Sequence, residues 1–170
     1  MRWKAGLWGL FLLAGCSTVH TAAPPEVEPL PPLVGWPQGA IALTIEDLRP
    51  TKDETEALVQ TIEGTIRVWL RESTVPSDRY AMRIQILGYQ AAAETGQPYW
   101  YGTTAFLVTV TDPTGNRVRE WQILGRARKW NWWGYGTARA VAQESFQLAM
   151  AQLRARMEAT PLVVLPTRGE

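Results

Sequence analysis

A chain of 170 residues with 17 basic and 16 acidic side chains, formally +1, is close to charge-balanced, which excludes a binder of nucleic acid that relies on a large basic excess. One cysteine (Cys16) and one histidine (His20) are too few to build a zinc centre, and they leave no histidine for a Ser-His-Asp triad in any folded domain that follows. Apolar residues make up 46% of the chain, enough to fill one core.

The first residues read as a targeting signal. Arg2 and Lys4 precede an apolar run from Leu7 to Leu13, interrupted by Gly9, and the run ends in Leu13-Ala14-Gly15-Cys16. It is far shorter than the roughly 20 residues of a membrane-spanning helix. A basic start, an apolar core and two small residues before a cysteine resemble the lipobox of bacterial lipoproteins. The resemblance implies that residues 1–15 are removed and that Cys16 carries a covalent diacylglycerol and an N-acyl lipid. Several acyl chains give a stable anchor where one alone binds marginally. A plain secretory signal, with Cys16 an ordinary residue, leaves the spacing of small residues and cysteine unexplained. Ser17, where Asp marks inner-membrane retention in Gram-negative lipoproteins, implies the outer membrane, with the protein facing the periplasm. Loss of Arg2 and Lys4 leaves 15 basic against 16 acidic residues, and no thiol remains for a disulfide in that oxidising compartment.

Residues 16–37 read as a tether, punctuated by Pro24, Pro25, Pro29, Pro31, Pro32 and Pro37. At about 3.1 Å per residue such a segment spans up to roughly 60 Å, holding the domain off the membrane. His20 lies within it and reads as a solvated bystander. A single domain over residues 38–160 follows, and residues 161–170 form a tail.

Alternation of Ile41, Leu43 and Ile45 with Ala42, Thr44 and Glu46 predicts a first strand with one apolar face, stopped by Pro50. Thr51-Lys52-Asp53-Glu54 has the form of a capping box. The helix behind it, to about residue 72, has an apolar stripe of Leu58, Ile62, Ile66, Trp69 and Leu70. Gly64 interrupts this helix, which close helix packing would explain. A second strand is expected over residues 80–93, with Met82, Ile84 and Ile86 on one face and Arg83, Gln85, Leu87 and Tyr89 on the other. Gly96 and Pro98 turn the chain into a third strand, 99–111, with Phe106, Val108 and Val110 on one face. Asp112-Pro113-Thr114-Gly115-Asn116 is a turn, with Asp112 as its cap. A fourth strand, 117–129, carries Arg126 and Arg128 on its outer face. A second helix, 137–157, buries Ala142, Phe146, Ala149, Met150, Leu153 and Met157. Residues 162–165 are expected as a short strand or a docked tail.

The order β-α-β-β-β-α with one apolar sheet face predicts an α+β fold: a two-layer sandwich, mainly antiparallel, four-stranded, with both helices on one face. In this order the chain resembles small periplasm-facing lipoproteins: the YajG type, the auxiliary lipoproteins of ABC-type lipid transport and the LPS-assembly lipoproteins. The residues that carry the resemblance are the lipobox, Glu46-Asp47-Leu48-Arg49-Pro50, the hairpin 108–116 and the Ala- and Leu-rich last helix. Such families are not enzymes; the resemblance implies an accessory or scaffold subunit of an envelope assembly.

The sequence departs from that pattern in its aromatic segment. Trp130, Trp132, Trp133 and Tyr135 follow Arg126, Arg128 and Lys129, and hairpin pairing brings Trp100 and Tyr101 beside them. These rings either close the end of the core or form an exposed aromatic and cationic patch for a protein partner, a lipid headgroup layer or a glycan such as peptidoglycan. Glu46, Asp47 and Arg49 read as strand-end charges or cap partners. No paired carboxylates have a setting suited to glycoside hydrolysis. The expected function is therefore a lipid-anchored periplasmic accessory or scaffold protein acting by protein or lipid binding, without cofactor, metal or nucleic acid. The alternatives are a glycan-binding module and a purely structural lipoprotein.

Overall fold

The computed structural model describes residues 18–20, 27, 29–36, 41–50, 55–70, 80–93, 96–131 and 134–162. Its elements are β1 (Thr18–His20), β2 (Ile41–Asp47), α1 (Thr55–Leu70), β3 (Tyr80–Ala93), β4 (Tyr99–Thr111), β5 (Arg117–Trp130) and α2 (Tyr135–Ala159). The long strands lie in the order β2-β3-β4-β5. β2 is parallel to β3, reached through α1, while β3, β4 and β5 form an antiparallel meander. This is the expected α+β sandwich of order β-α-β-β-β-α. The three-residue β1 is an addition: it pairs antiparallel with the end of β3, Thr18 opposite Ala93 and His20 opposite Ala91, on the same edge that β2 occupies lower down.

Strand alternation sends one set of side chains under the helices. In β4 these are Trp100, Gly102, Thr104, Phe106, Val108 and Val110, all buried. α1 buries Leu58, Ile62, Ile66, Trp69 and Leu70, and α2 buries all six residues of its expected stripe, so one cluster joins both helices to one sheet face. The capping-box residues 51–54 lie outside the described residues.

α2 lies unusually close to the sheet. A Cβ on Gly102 would overlap the Val141 carbonyl oxygen, and one on Gly125 would overlap that of Ser145. Only glycine permits this approach. Between them the buried hydroxyls of Thr104 and Ser145 bond at 2.9 Å, and Ser145 also donates to the Ala142 carbonyl at 2.8 Å, so neither polar group is stranded in the core.

Three expectations need correction. Tyr89 is buried rather than outward-facing. A register shift between Ile86 and Gly88 inserts an extra residue, so the alternation changes phase and the Tyr89 ring meets Phe146 edge-on at 5.8 Å. Gly64 makes no close helix contact: a Cβ there would meet nothing within 4 Å, and the residue borders a hollow of about 150 Å³ beside Val27, Pro29, Leu30 and Trp69. The packed unit also begins before residue 38. Leu33 and Trp36 are buried; the Leu33 amide donates to the Trp69 carbonyl at 2.7 Å and the Trp36 indole to the Met157 carbonyl at 2.8 Å. Both acceptors lie in last helical turns, where carbonyls lack intrahelical partners. This proline-rich segment is a strap across two helix ends, and Trp36 packs on Trp121 at 6.2 Å between ring centroids.

The turn after β4 forms as expected. Asp112 Oδ1 accepts from the amides of Thr114 and Asn116, both at 2.9 Å, and Gly115 has φ 85°. The Thr114 hydroxyl bond, with the two amides, holds the Asp112 carboxyl below its ordinary pKa. Leu162 packs on the core; residues 163–165 lie outside the described residues. Among the described residues no helix is long and apolar enough to cross a membrane.

Candidate functional site

The strand residues that do not face the helices form a second sheet surface with no layer over it among the described residues. Its rows follow the β4–β5 register: Tyr99 opposite Trp130, Tyr101 opposite Arg128, Thr103 opposite Arg126, Ala105 opposite Leu124 and Leu107 opposite Gln122. Directly opposed side chains on one face lie within contact distance. Leu87 (46% exposed), Leu124 (42%), Trp130 (45%) and Tyr101 (38%) give it four of the eight exposed large hydrophobic side chains among the described residues. On the β2 side it ends in a polar rim, where Glu46 pairs with Arg83 at 3.1 Å and accepts from Gln85 at 3.0 Å.

One end of this face is aromatic and cationic. Tyr99 meets Trp130 edge-on at 5.0 Å between centroids, with planes at 83°, and Tyr101 at 6.4 Å and 56°. The Arg128 guanidinium carbon lies 4.7 Å from the centre of the Tyr99 ring, within cation–π range. Among the described residues neither Arg126 nor Arg128 has a carboxylate partner, so both cations remain available to an anionic ligand.

The structure divides the residues singled out from sequence. Tyr101, Arg126, Arg128 and Trp130 share the open face. Trp100 does not: it is buried under the helices because even-numbered positions of β4 point inward, a phase already visible in Phe106, Val108 and Val110. Lys129 also turns toward the helical side, pairing with Glu144 of α2 at 3.0 Å. Tyr135 opens α2, and its side chain is outside the described set, as are Trp132, Trp133 and Cys16. Tyr99, which sequence reasoning passed over, is the ring that Tyr101, Arg128 and Trp130 all contact. Its odd position in β4 was the available signal.

The charges at the end of β2 have a different role. The Arg49 guanidinium grips Asp47 through both carboxylate oxygens, at 2.9 and 2.7 Å, in a pair whose side chains are almost fully buried. The Thr55 hydroxyl adds a bond to Asp47 at 2.7 Å, so the cluster pins the start of α1 to the end of β2. Burial pushes the Asp47 carboxyl upward, but the bonds from Arg49 and Thr55 outweigh it and set the pKa at about 2. Arg49, through its backbone amide and guanidinium, and Thr55, through its hydroxyl, all donate to Asp47, which makes the cluster a structural clamp. Among the described residues no three His, Cys, Asp or Glu side chains gather as a metal site.

No protein-family model and no curated protein matches the chain. Among solved structures, a Xanthomonas campestris protein of the family DUF330 is similar in fold, with a TM-score of 0.54 at 15% identity, covering 82% of this chain and 95% of that one. Two weaker matches are a PelC dodecamer from Paraburkholderia phytofirmans (TM-score 0.38, 14% identity, 78% of this chain and 96% of that one) and a putative neuraminyllactose-binding hemagglutinin homolog from Helicobacter pylori (TM-score 0.32, 9% identity, 78% and 91%). At these identities the first match establishes a shared fold and nothing about ligand or partner.

Proposed function

We propose that this chain is a lipid-anchored accessory protein of the bacterial cell envelope, held through Cys16 at the periplasmic side of the outer membrane and acting by protein or lipid contact rather than by catalysis. The observation that carries the reading is the open sheet face. A two-layer domain of this kind buries one side of its sheet under the helices, and here the other side also displays leucine and aromatic side chains. Exposed apolar surface of that kind, rimmed by polar groups, is characteristic of interaction sites. Tyr, Trp and Arg are also the residues over-represented at binding hot spots. The lipobox and the resemblance of pattern to YajG-type, ABC-transport auxiliary and LPS-assembly lipoproteins supply the compartment.

The glycan alternative fares worse on geometry. A sugar-stacking platform needs ring faces presented in parallel, whereas Tyr99, Tyr101 and Trp130 are tilted by 56° and 83°, and a guanidinium lies over one of them. A face that mixes rings with Arg suits a protein or a headgroup layer.

A photocrosslinking residue in place of Leu124, compared with one in place of Ala151 on the exposed side of α2, tests this reading in intact envelopes. The expected result is a discrete adduct with an envelope protein from position 124 only. Equal, diffuse labelling from both positions contradicts it.

A further inference from the structure

β1 changes where the anchor lies. The register Thr18–Ala93 and Val19–Ala92, continued through Ala92–Tyr101 and Tyr101–Arg128, places β1 in the same cross-sheet rows as Tyr101 and Arg128. One residue, Ser17, stands between Thr18 and Cys16 in the sequence. Two peptide units reach about 7 Å at most. Strands are spaced about 4.8 Å apart, so Tyr101 in β4 lies roughly 10 Å across the sheet from β1 and Trp130 in β5 roughly 15 Å. The proline-rich residues expected to act as a spacer come after β1, between it and β2, and so do not separate the anchor from the domain.

We infer that the domain sits directly on the membrane, with the Tyr99, Tyr101, Arg126, Arg128 and Trp130 end of the open face seated in the headgroup layer beside the lipidated Cys16. This rests on the lipid-anchor reading above. The chemistry fits that occupant: Trp and Tyr concentrate at the headgroup level of bilayers, where an apolar ring and a polar edge are both satisfied, and Arg126 and Arg128, which have no carboxylate partner among the described residues, complement lipid phosphates. The patch also occupies one end of the sheet only. β4 has 13 residues, about 40 Å at strand rise, so the Asp112 turn at its other end projects into the periplasm. Leu87, Leu107 and Leu124, midway along the face, are left clear of the membrane for a protein partner. The lipid anchor and the aromatic end thus fix orientation together: one attachment point alone allows the domain to swivel, and a second contact stops it.

The test uses the full lipidated protein in vesicles of phosphatidylethanolamine and phosphatidylglycerol. A nitroxide is placed at Gln97→Cys, in the turn at the proposed membrane end, or at Arg117→Cys, at the opposite end. The expected result is several-fold protection of the label at 97 from an aqueous nickel chelate and none at 117. Tyr101→Ser/Arg128→Gln/Trp130→Ser should abolish the protection at 97 while the protein stays on the vesicles. Equal accessibility of both labels, with acylated Cys16 confirmed by mass spectrometry and the protein vesicle-bound, overturns the seating and leaves the anchor intact. Protection that survives in the folded triple variant overturns the role of the cluster. An unmodified Cys16 with protein free of vesicles overturns anchor and seating together. Should the triple variant fail to fold by circular dichroism, the comparison of labels 97 and 117 in the otherwise wild-type protein still decides.

Discussion

The two faces of this sheet are made by the same strands, yet they obey different rules. On the helix side the residues fit closely: glycines at 102 and 125 where α2 touches the strands, a hydroxyl pair where a polar group must be buried, and Phe106 edge-on to Phe146 at 6.1 Å. On the open side Leu87 and Leu124 remain largely exposed, and Trp130, Tyr101 and Arg128 meet around the Tyr99 ring. A surface whose apolar residues stay outside the buried core cluster is the one free to be shaped by binding.

The sharpest way to break this contrast uses two adjacent residues of β5. Ile123 is 1% exposed and Leu124 is 42% exposed. Ile123→Ala should lower unfolding stability by about 2–5 kcal/mol through lost burial and a cavity, while Leu124→Ala should change it by less than about 0.5 kcal/mol. Chemical denaturation of the two variants measures both, and similar losses would show that the open face is part of the core. Next in size, Gly125→Ala should destabilise by about 1–3 kcal/mol, because the methyl group must push α2 off the sheet; thermal unfolding checks it against Gly64→Ala, where space is open. The smallest effect belongs to the Asp47 clamp at the sheet edge. A carboxyl with a pKa of about 2 in the fold and an ordinary value of 3.8 favours the native state when ionised. Its contribution is fully present above pH 4 and is lost as pH falls from about 4 to 2, up to about 2 kcal/mol in all. Denaturation midpoints across that window should fall with acid; a flat profile would contradict the clamp.

Much of the architecture was legible because alternation and helical spacing are local. Residues 80–86 and 99–111 alternate cleanly, the two strands form with the expected bounds of 80–93 and 99–111, and the α2 stripe is buried at every expected position. What sequence left hidden depends on tertiary events. The extra residue near Gly88 reverses the phase of β3, which no count of alternation crossing that point can reveal, although a glycine inside a strand is the usual hint of such a bulge. Leu33 and Trp36 are ordinary residues in a proline-rich stretch until two helix ends come together and offer carbonyls to the Leu33 amide and the Trp36 indole. β1 is three residues long, too short to show a period.

The site was legible by composition and only partly by position. Composition pointed to one end of the sheet and hairpin logic brought Trp100 and Tyr101 beside the basic residues; the register sets Tyr101 opposite Arg128. Extending the phase of Phe106, Val108 and Val110 back along β4 would have sent Trp100 inward and brought out Tyr99, the ring at the centre of the cluster.

The most direct test of whether the open face is a contact surface is oxidative footprinting of the full-length protein in native envelopes against the same protein in detergent. If the open sheet face is the contact surface, Leu87, Tyr101, Leu124 and Trp130 lose reactivity in envelopes while Leu148, exposed on α2, keeps it. Unchanged reactivity at those four residues, or protection confined to the helical side, would contradict it.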